Sequence, residues 1–589
     1  MAHPDIFYQE RVAKFDSEAK ALHKKLTFLS TLRLLVFLVA LLGLYLTFGN
    51  WTFMTLTGIA GIFVFTFVLS LYTDTKSDKQ LKLALRDINR TELEVASGNY
   101  HHLNSGNQYQ NPAHVYSLDI DLFGKGSFFQ FINRTVIEEG AEQLAKNLLS
   151  NEINNVEKRQ EAVKELASKP EWRQLYAATA QQTHIETPAS TIIDWLKHHQ
   201  TTLPKAMGWL PYAFGATSTL VFALCIFGFI PLSVLAYWLL LGLGITVPYL
   251  KKINVLAANT NKIKETFRQY AKLLDLIENE TFVSELLAEK QKTIQSENQK
   301  AAAIFKKFSK LLDTLDNRNN VFSAIFGNGF LLTDLKQAHH IEKWIETYGH
   351  KINDWFQTVS FFDAYNSLGN YSFNHPNNVF PEIAMGNRAI QAKNLGHPLL
   401  PKSKRVDNDL DIDIEQFFII TGANMAGKST FLRTVSLHIV MANVGLPVCA
   451  TSSRYTPVKL ITSMRTSDSL TDDSSYFFSE LTRLKMIVDA IQETPYFIIL
   501  DEILKGTNST DKAVGSRKFV ERLVASNATG IIATHDLTLC EIENNFDEVK
   551  NYHFDAEITN GELHFDYRLK QGVCKNMNAS FLLKKMGIV

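Results

Sequence analysis

Charged residues are distributed very unevenly along the chain. Leu34–Thr73 contains no acidic, basic or histidine residue and is interrupted only by Gly49-Asn50 near its middle. A helix rising about 1.5 Å per residue needs roughly 20 residues to cross the hydrocarbon of a bilayer. Leu34–Phe48 and Phe53–Tyr72 therefore read as the arms of a helical hairpin, the first slightly short. The pattern recurs over Ala206–Leu250, again without charge, with Gly228-Phe229-Ile230-Pro231 as the turn and Trp209, Tyr212, Trp238 and Tyr249 as interfacial anchors. The alternative is two helical hairpins buried in a soluble core, but soluble helices seldom lack a polar face for so long. Four spans in two hairpins is the economical reading.

Cations set the orientation. Lys24, Lys25 and Arg33 precede the first hairpin and Lys76, Lys79, Lys82 and Arg86 follow it; Lys197 and Lys205 precede the second, and Lys251 and Lys252 follow it. Both hairpin tips are uncharged, so the soluble parts are expected on the cytoplasmic side of the inner membrane, in a multi-pass protein. The charged start (Asp5, Glu10, Arg11, Lys14) without a small-residue cleavage site makes the first span an anchor rather than a signal peptide.

Outside these stretches the texture is helical over Thr75–Arg90, Asn151–His199 and Lys251–Leu315, with His101–His114 as a connector. After Gly369 it changes. Asn370–Phe380 reads as a loop, and beyond it short β-branched and aromatic runs alternate with helical ones. Strands are expected at Gln416–Thr421, Tyr496–Leu500 and Gly530–Thr534.

The 589 residues hold 60 Lys plus Arg and 60 Asp plus Glu, so no global basic excess advertises nucleic-acid binding, and any such contact is local. Cys225, Cys449, Cys540 and Cys574 form no CxxC pair, which fits a reducing compartment and argues against a disulfide framework or a zinc site. The doublets His101-His102, His198-His199 and His339-His340 lack metal-ligand spacing. Phe361-Phe362 and Phe477-Phe478 read as core packing, and Lys402, Lys404 and Arg405 as a loop whose position before the nucleotide strand allows phosphate contact.

Gly422-Ala423-Asn424-Met425-Ala426-Gly427-Lys428-Ser429 matches G-x-x-x-x-G-K-[ST] between an apolar strand and a helical pattern starting at Thr430. Glycines let successive N–H groups face phosphates, Lys428 reaches the β and γ oxygens, and the Ser429 hydroxyl serves Mg²⁺. Tyr496–Leu500 ends in Asp501-Glu502, the first carboxylate suited to the metal and the second to the attacking water. Ile531-Ile532-Ala533 leads to Thr534-His535-Asp536, placing His535 to sense the γ-phosphate.

From Gly396 to the C-terminus these residues resemble the ATPase domain of the MutS family of DNA mismatch-repair proteins, a branch of the ABC ATPases. Gly396-His397-Pro398-Leu399-Leu400 resembles the entry motif, Thr421–Thr430 the nucleotide loop, and Asp501–Thr507 the Walker B and D-loop. Ala533-Thr534-His535 resembles the switch histidine. Ser474–Glu480 resembles the signature segment, which implies that Ser475 acts in trans on the nucleotide of a dimer partner. Weaker matches at Leu122–Ser127, Asn133-Arg134-Thr135, Glu139-Gly140, Ile153–Leu166, Asp363–Leu368 and Phe380-Pro381-Glu382 resemble the helical core of the family. Ala423 stands where the family usually has Pro, Ala426 where it usually has Gly, and Asp473-Ser474 where Gly-Arg is usual. No mismatch-reading domain or Phe-x-Glu wedge is expected before the core, and no usual C-terminal dimerisation element is expected after the ATPase.

The apolar hairpins and the resemblance together imply a multidomain protein: a helical segment over 1–33, transmembrane hairpins at 34–73 and 206–250, a helical core and first lever arm over 74–205, a second arm over 251–385, and an α/β P-loop ATPase domain over 386–589. The resemblance implies a homodimer with composite sites for ATP and Mg²⁺. Gly422 to Thr430 hold the nucleotide, Ser429 and Asp501 the metal, and Glu502, His535, Lys428 and the partner copy's equivalent of Ser475 catalyse hydrolysis. In the family, two lever helices end in a DNA-gripping clamp; here the lever tips are apolar, so the second hairpin is expected to stand in the clamp's place. Structure-specific DNA binding is the family-implied output. The competing expectation is an ATP-driven membrane-remodelling or signalling switch without a DNA role, with the lipid bilayer as partner and the hairpins either transmitting motion or only tethering.

Overall fold

The computed structural model describes residues 4–574 apart from 183–186, 296–298, 317, 319, 466–475, 505–507 and 560–561. The chain opens with two long helices, α1 (Pro4–Leu46) and α2 (Trp51–Ala96), packed side by side. Asn50 caps α2 by accepting from the Phe53 N–H. Small residues let the arms approach: a Cβ on Gly61 would lie 2.9 Å from that of Ala40. Each helix is about 65–70 Å long, so the membrane-length apolar part is one end of a longer rod. In the most apolar 18-residue window of each, only 6% of the residues are buried.

The polar ends of the rods dock on a helical core built from α3 (Phe128–Ile132), α4 (Glu138–Leu149), α5 (Val156–Ala167), α6 (Pro170–Gln181) and α7 (Ala189–His198). Glu92 of α2, 3% exposed, accepts from Arg134 Nε (2.6 Å), Asn370 Nδ2 (3.0 Å) and Asn374 Nδ2 (2.8 Å). Arg11 of α1 donates to Gln174 and Glu171.

The chain then rises through α8 (Leu210–Ile226), turns at Phe227–Leu232, and returns through α9 (Ser233–Thr246) and a short 3-10 turn into α10 (Leu250–Asn279). Among the described residues, three helices are long and apolar enough to span a bilayer: α1, α2 and the run Ser233–Thr260. α8 is equally apolar but 17 residues long. The second hairpin thus has one arm of spanning length where two were expected.

The single arm expected over Lys251–Leu315 is two. After α11 (Glu285–Lys292), α12 (Ala301–Asp316) runs back antiparallel to α10, held by Lys264–Asp316 (2.8 Å) and Arg268–Asp313 (3.0 Å). It leads to an apolar helix absent from the sequence reading, α13 (Val321–Leu331), before α14 (Thr333–Tyr348) and α15 (Ile352–Asn374) descend to the core. α15 continues through Asn370, where a loop was expected, because Asn370 and Asn374 bond to Glu92 instead of turning the chain.

The remainder is α/β. A four-stranded sheet has the order β1-β5-β2-β3 and consists of β1 (Glu382–Ile383), β2 (Arg388–Leu395), β3 (Asn408–Asp413) and β5 (Ser452–Tyr455). The larger sheet has the order β10-β9-β4-β8-β7-β6. Its strands β4 (Phe417–Gly422), β6 (Lys459–Ser463), β7 (Tyr496–Asp501), β8 (Thr529–Ala533) and β9 (Val549–Thr559) are parallel, and β10 (Glu562–Gln571) is antiparallel to β9. β4, β7 and β8 are continuous apolar runs because both faces are covered. Phe418 and Ile420 face a core shared with the helical region and α16 (Lys428–Val444). Phe417 and Ile419 face α17 (Tyr476–Glu493) and α18 (Ser509–Ala525).

Candidate functional site

The three expected strands are β4, β7 and β8, each within a residue of its expected bounds, and they lie side by side. Parallel pairing puts their carboxyl ends together, where open α/β sheets hold ligands. β4 delivers the glycine-rich loop, β7 delivers Asp501-Glu502, and β8 delivers Thr534-His535. The Thr534 N–H donates to Ile420 O and that of Glu502 to Ala533 O, both at 2.9 Å, so the ladder locks the three turns in register.

Two loop positions require glycine. Gly422 has φ +154°, and a Cβ there would lie 2.7 Å from the Phe554 carbonyl oxygen; Gly427 has φ +106° with the Tyr567 ring 3.1 Å from such an atom. The loop ends at the N-terminus of the largely buried α16, whose unpaired N–H groups and dipole favour an anion. Ala423 and Ala426 are buried, so small side chains fit where the family pattern has Pro and Gly.

The charged groups converge. Lys428, 6% exposed, donates from Nζ to the carbonyls of Gly422 (2.8 Å) and Ala423 (3.0 Å) and lies 3.3 Å from His535 Nε2. Burial lowers its pKa, opposed by Asp501 and Glu502. Ser429 Oγ donates to Asp501 Oδ2 at 2.6 Å, pairing two hard oxygen donors of the kind Mg²⁺ prefers. Glu502, at φ +49°, places Oε1 3.0 Å from His535 Nε2.

These groups border a cavity of about 450 Å³ lined by Asn424 to Phe431, Glu502 and His535. On its other wall, Tyr567 was not foreseen. Tyr567, from a bulged stretch of β10, lies over the loop at Gly427; its carbonyl accepts from Asn408 Nδ2, and Asn408 Oδ1 accepts from the Leu569 N–H. Only the pairing of β10 with β9 brings this tyrosine to the loop, and sequence spacing carries no sign of it. His397 and Arg405 line the same wall. Burial and the neighbouring Arg433 push His397 down to about 4, so it stands neutral. Arg405 pairs with Asp407 at 2.6 Å and packs against Gly396, which explains the glycine of the entry motif.

Ser475, with Asp473-Ser474 and Lys505-Gly506-Thr507, lies outside the described residues. The flanks of that segment are anchored. Glu480 of α17, 3% exposed, accepts from the Leu504 N–H at 2.6 Å. Asp119 of the helical core accepts from the backbone N–H groups of Met464 (3.2 Å) and Arg465 (2.8 Å) at the end of β6. Phe361 and Phe362 are buried as expected, but Phe478 is 61% exposed, since α17 presents this side to solvent.

The family model for MutS domain V matches residues 418–584, the segment that supplies the loop, both carboxylates and His535. This segment is thus a domain of MutS type. The MutS region is 34% identical over 195 residues to the DNA mismatch repair protein MutS of Chloroflexus aurantiacus, covering 31% of this chain and 20% of that protein. It is 32% identical over 215 residues to that of Aquifex pyrophilus (36% and 25%), and 32% identical over 194 residues to MutS protein homolog 4 of Homo sapiens (31% and 20%). The match thus spans about a fifth to a quarter of the length of these relatives.

Proposed function

We propose that the protein is a membrane-anchored ATPase of MutS type, hydrolysing ATP to ADP and phosphate. The observation that carries this reading is the convergence of Lys428, Ser429, Asp501, Glu502 and His535 on one cavity beside a helix N-terminus. Asn424 to Thr430 would wrap the phosphates with N–H groups, and Lys428 would exchange its loop carbonyls for β and γ oxygens. Tyr567 offers an aromatic face to the base. Ser429 and Asp501 are the residues that would hold Mg²⁺, which supplies charge neutralisation on the phosphate oxygens. Glu502, fixed by His535 and the β8 ladder, orients and deprotonates the attacking water. Ser475 of a partner copy completes the site in a dimer.

Exposed apolar surface on α1, α2, α8 and α9 supports the membrane reading: contiguous patches of this size are not left in water by soluble proteins. Four spans in two hairpins then require α8 to cross with its flanking turns. In this reading Arg33, over the Tyr72 ring (4.9 Å), stands at the boundary of the first hairpin, and the cations flanking both hairpins favour the cytoplasmic side of the inner membrane for the soluble parts.

Purified full-length protein in detergent is expected to hydrolyse ATP. Glu502→Gln should lower turnover by about 10²-fold or more while keeping ATP bound and stabilising a dimer. Turnover unchanged in Glu502→Gln overturns the assigned role, and turnover unchanged in Lys428→Ala overturns the site.

Because the relatives are named as DNA mismatch repair proteins, binding to branched or mismatched DNA is the output the family suggests. A switch acting on the membrane alone is favoured by the balanced charge and by apolar rather than basic lever tips. Binding to homoduplex, mismatched and branched DNA across a salt series, with and without ATP, separates the two. An ATP-modulated structural preference supports the first, and no binding in any nucleotide state the second.

A further inference from the structure

α13 was invisible as a membrane element because it is too short to span. It nevertheless packs into the second apolar hairpin. Gly329 lies against Leu239 and Gly242 of α9, close enough that a Cβ on either glycine would collide. The Phe330 carbonyl accepts from Ser218 Oγ of α8 at 2.6 Å, and that hydroxyl in turn accepts from Trp238 Nε1 of α9 at 2.7 Å. Phe330 also meets the Phe222 ring at 4.8 Å. The three helices form one bundle, joined on a small-residue and hydroxyl seam of the kind that joins helices in lipid.

Among the described residues, the opposite side of α13 is left largely uncovered. Val321, Phe322, Ile325 and Phe326 form one face and are 67%, 74%, 40% and 52% exposed. α8 and α9, against which α13 packs, carry exposed apolar residues of their own, among them Leu220, Leu240 and Leu241. No charge occurs between Arg318 and Asp334, and these two residues, one before α13 and one just beyond its turn, pair with each other (3.4 Å). Arg318 donates to Asn254 near the start of α10, and on the other side Lys336 of α14 lies over the Tyr212 ring at 4.5 Å. Eleven residues of helix rise about 16 Å, roughly half of the hydrocarbon.

The ends of α13 are closed as lipid demands, with backbone polar groups paired internally. Asn320 Oδ1 accepts from the N–H groups of Phe322 and Ser323. At the upper turn the Leu332 N–H donates to Gly327 O, the Asp334 N–H to Asn328 Oδ1 (2.9 Å), and Asn328 Nδ2 to Ala324 O (2.9 Å). An Asn buried in an apolar tip is thereby fully used by the turn it closes.

We propose that α13 is a re-entrant helix: it enters the leaflet facing the soluble domains, turns back at Leu332, and holds its Val321/Phe322/Ile325/Phe326 face against acyl chains. This rests on the membrane reading above, and the test separates the two. Full-length protein is reconstituted into phosphatidylcholine–phosphatidylglycerol vesicles containing a phospholipid with a photoactivatable diazirine in its acyl chain, and labelled peptides are mapped by mass spectrometry. Labelling is expected in 321–331 as well as in 34–73 and 206–250, with none in α18. The double variant Phe322→Glu/Phe326→Glu is expected to lose the α13 label while keeping label in the first hairpin. Labelled hairpins with an unlabelled α13 overturn the proposal and leave the membrane reading standing. No label anywhere overturns both. Undiminished α13 label in the double variant overturns the assigned face.

Discussion

Asp363 of α15 shows how one side chain joins the sequence to the stability of the core. Its carboxylate accepts from the N–H groups of Val136 (2.9 Å) and Ile137 (3.1 Å), the start of α4, and it is 1% exposed. Burial pushes its pKa up to about 7; the two N–H donors pull the other way and the nearby Glu139 adds to the rise. The folded value lies above that of an unfolded aspartate, so the folded state holds the proton more tightly. The stabilisation is complete below the ordinary aspartate value and is lost as pH rises through about 7. Asp363→Asn keeps an oxygen for both N–H groups and carries no charge. Thermal unfolding in detergent at pH 5 and pH 8 is expected to show the wild type several degrees less stable at the higher pH and the variant with a smaller difference. Equal pH dependence in the two proteins would assign the effect to another group.

At the scale of elements, the close approach of α5 to the end of α16 ties the helical core to the nucleotide helix. Gly445 terminates α16 at φ +87°, and a Cβ there would lie 2.7 Å from the Arg159 backbone; Arg159 Nε also donates to Asn443 O at 2.7 Å. Gly98, at φ +88° just beyond α2, has nothing within 4 Å of such an atom. Gly98→Ala is therefore expected to lose only the left-handed strain, about 1–2 kcal/mol. Gly445→Ala should lose that and more, together with ATPase activity; equal losses in chemical denaturation would mean that α5 gives way freely. The strands of the site were legible in the sequence because a parallel strand buried on both faces is a short continuous apolar run, and each of these ends in the residue its chemistry needs. α13 was not, since eleven apolar residues broken by Gly327 and Gly329 resemble neither a span nor an amphipathic helix. Tyr567 was hidden for another reason: its place depends on a bulge in a long-range strand pairing. The end of α15 was misread because local Asn and Pro propensity yields to the bonds from Asn370 and Asn374 to a residue nearly 280 positions away.

Across the whole molecule, the nucleotide cavity and the apolar helices are joined by buried polar contacts as well as by chain connectivity. Asp119 holds the end of β6, α15 runs directly toward β1, and Glu92 binds α15 to the rod that continues into the first hairpin. A rigid connection of this kind and a passive tether differ in a measurable way. If domain movements during turnover shift the apolar helices, the hydrophobic match between helices and bilayer enters the energy of the cycle, and mismatch has a modest cost per ångström. ATP turnover in vesicles of phosphatidylcholines with progressively longer acyl chains is then expected to pass through an optimum. A tether gives the same rate at every chain length. Glu92→Gln keeps hydrogen bonding to Asn370 and Asn374 but removes the charge facing Arg134, loosening the first hairpin from the core. It should flatten the dependence on chain length while leaving turnover in detergent near that of the wild type. A flat profile in the wild type would locate the work of hydrolysis in the soluble domains. An optimum retained in Glu92→Gln would route the coupling through the second bundle, where α10, α12 and α14 carry α8, α9 and α13.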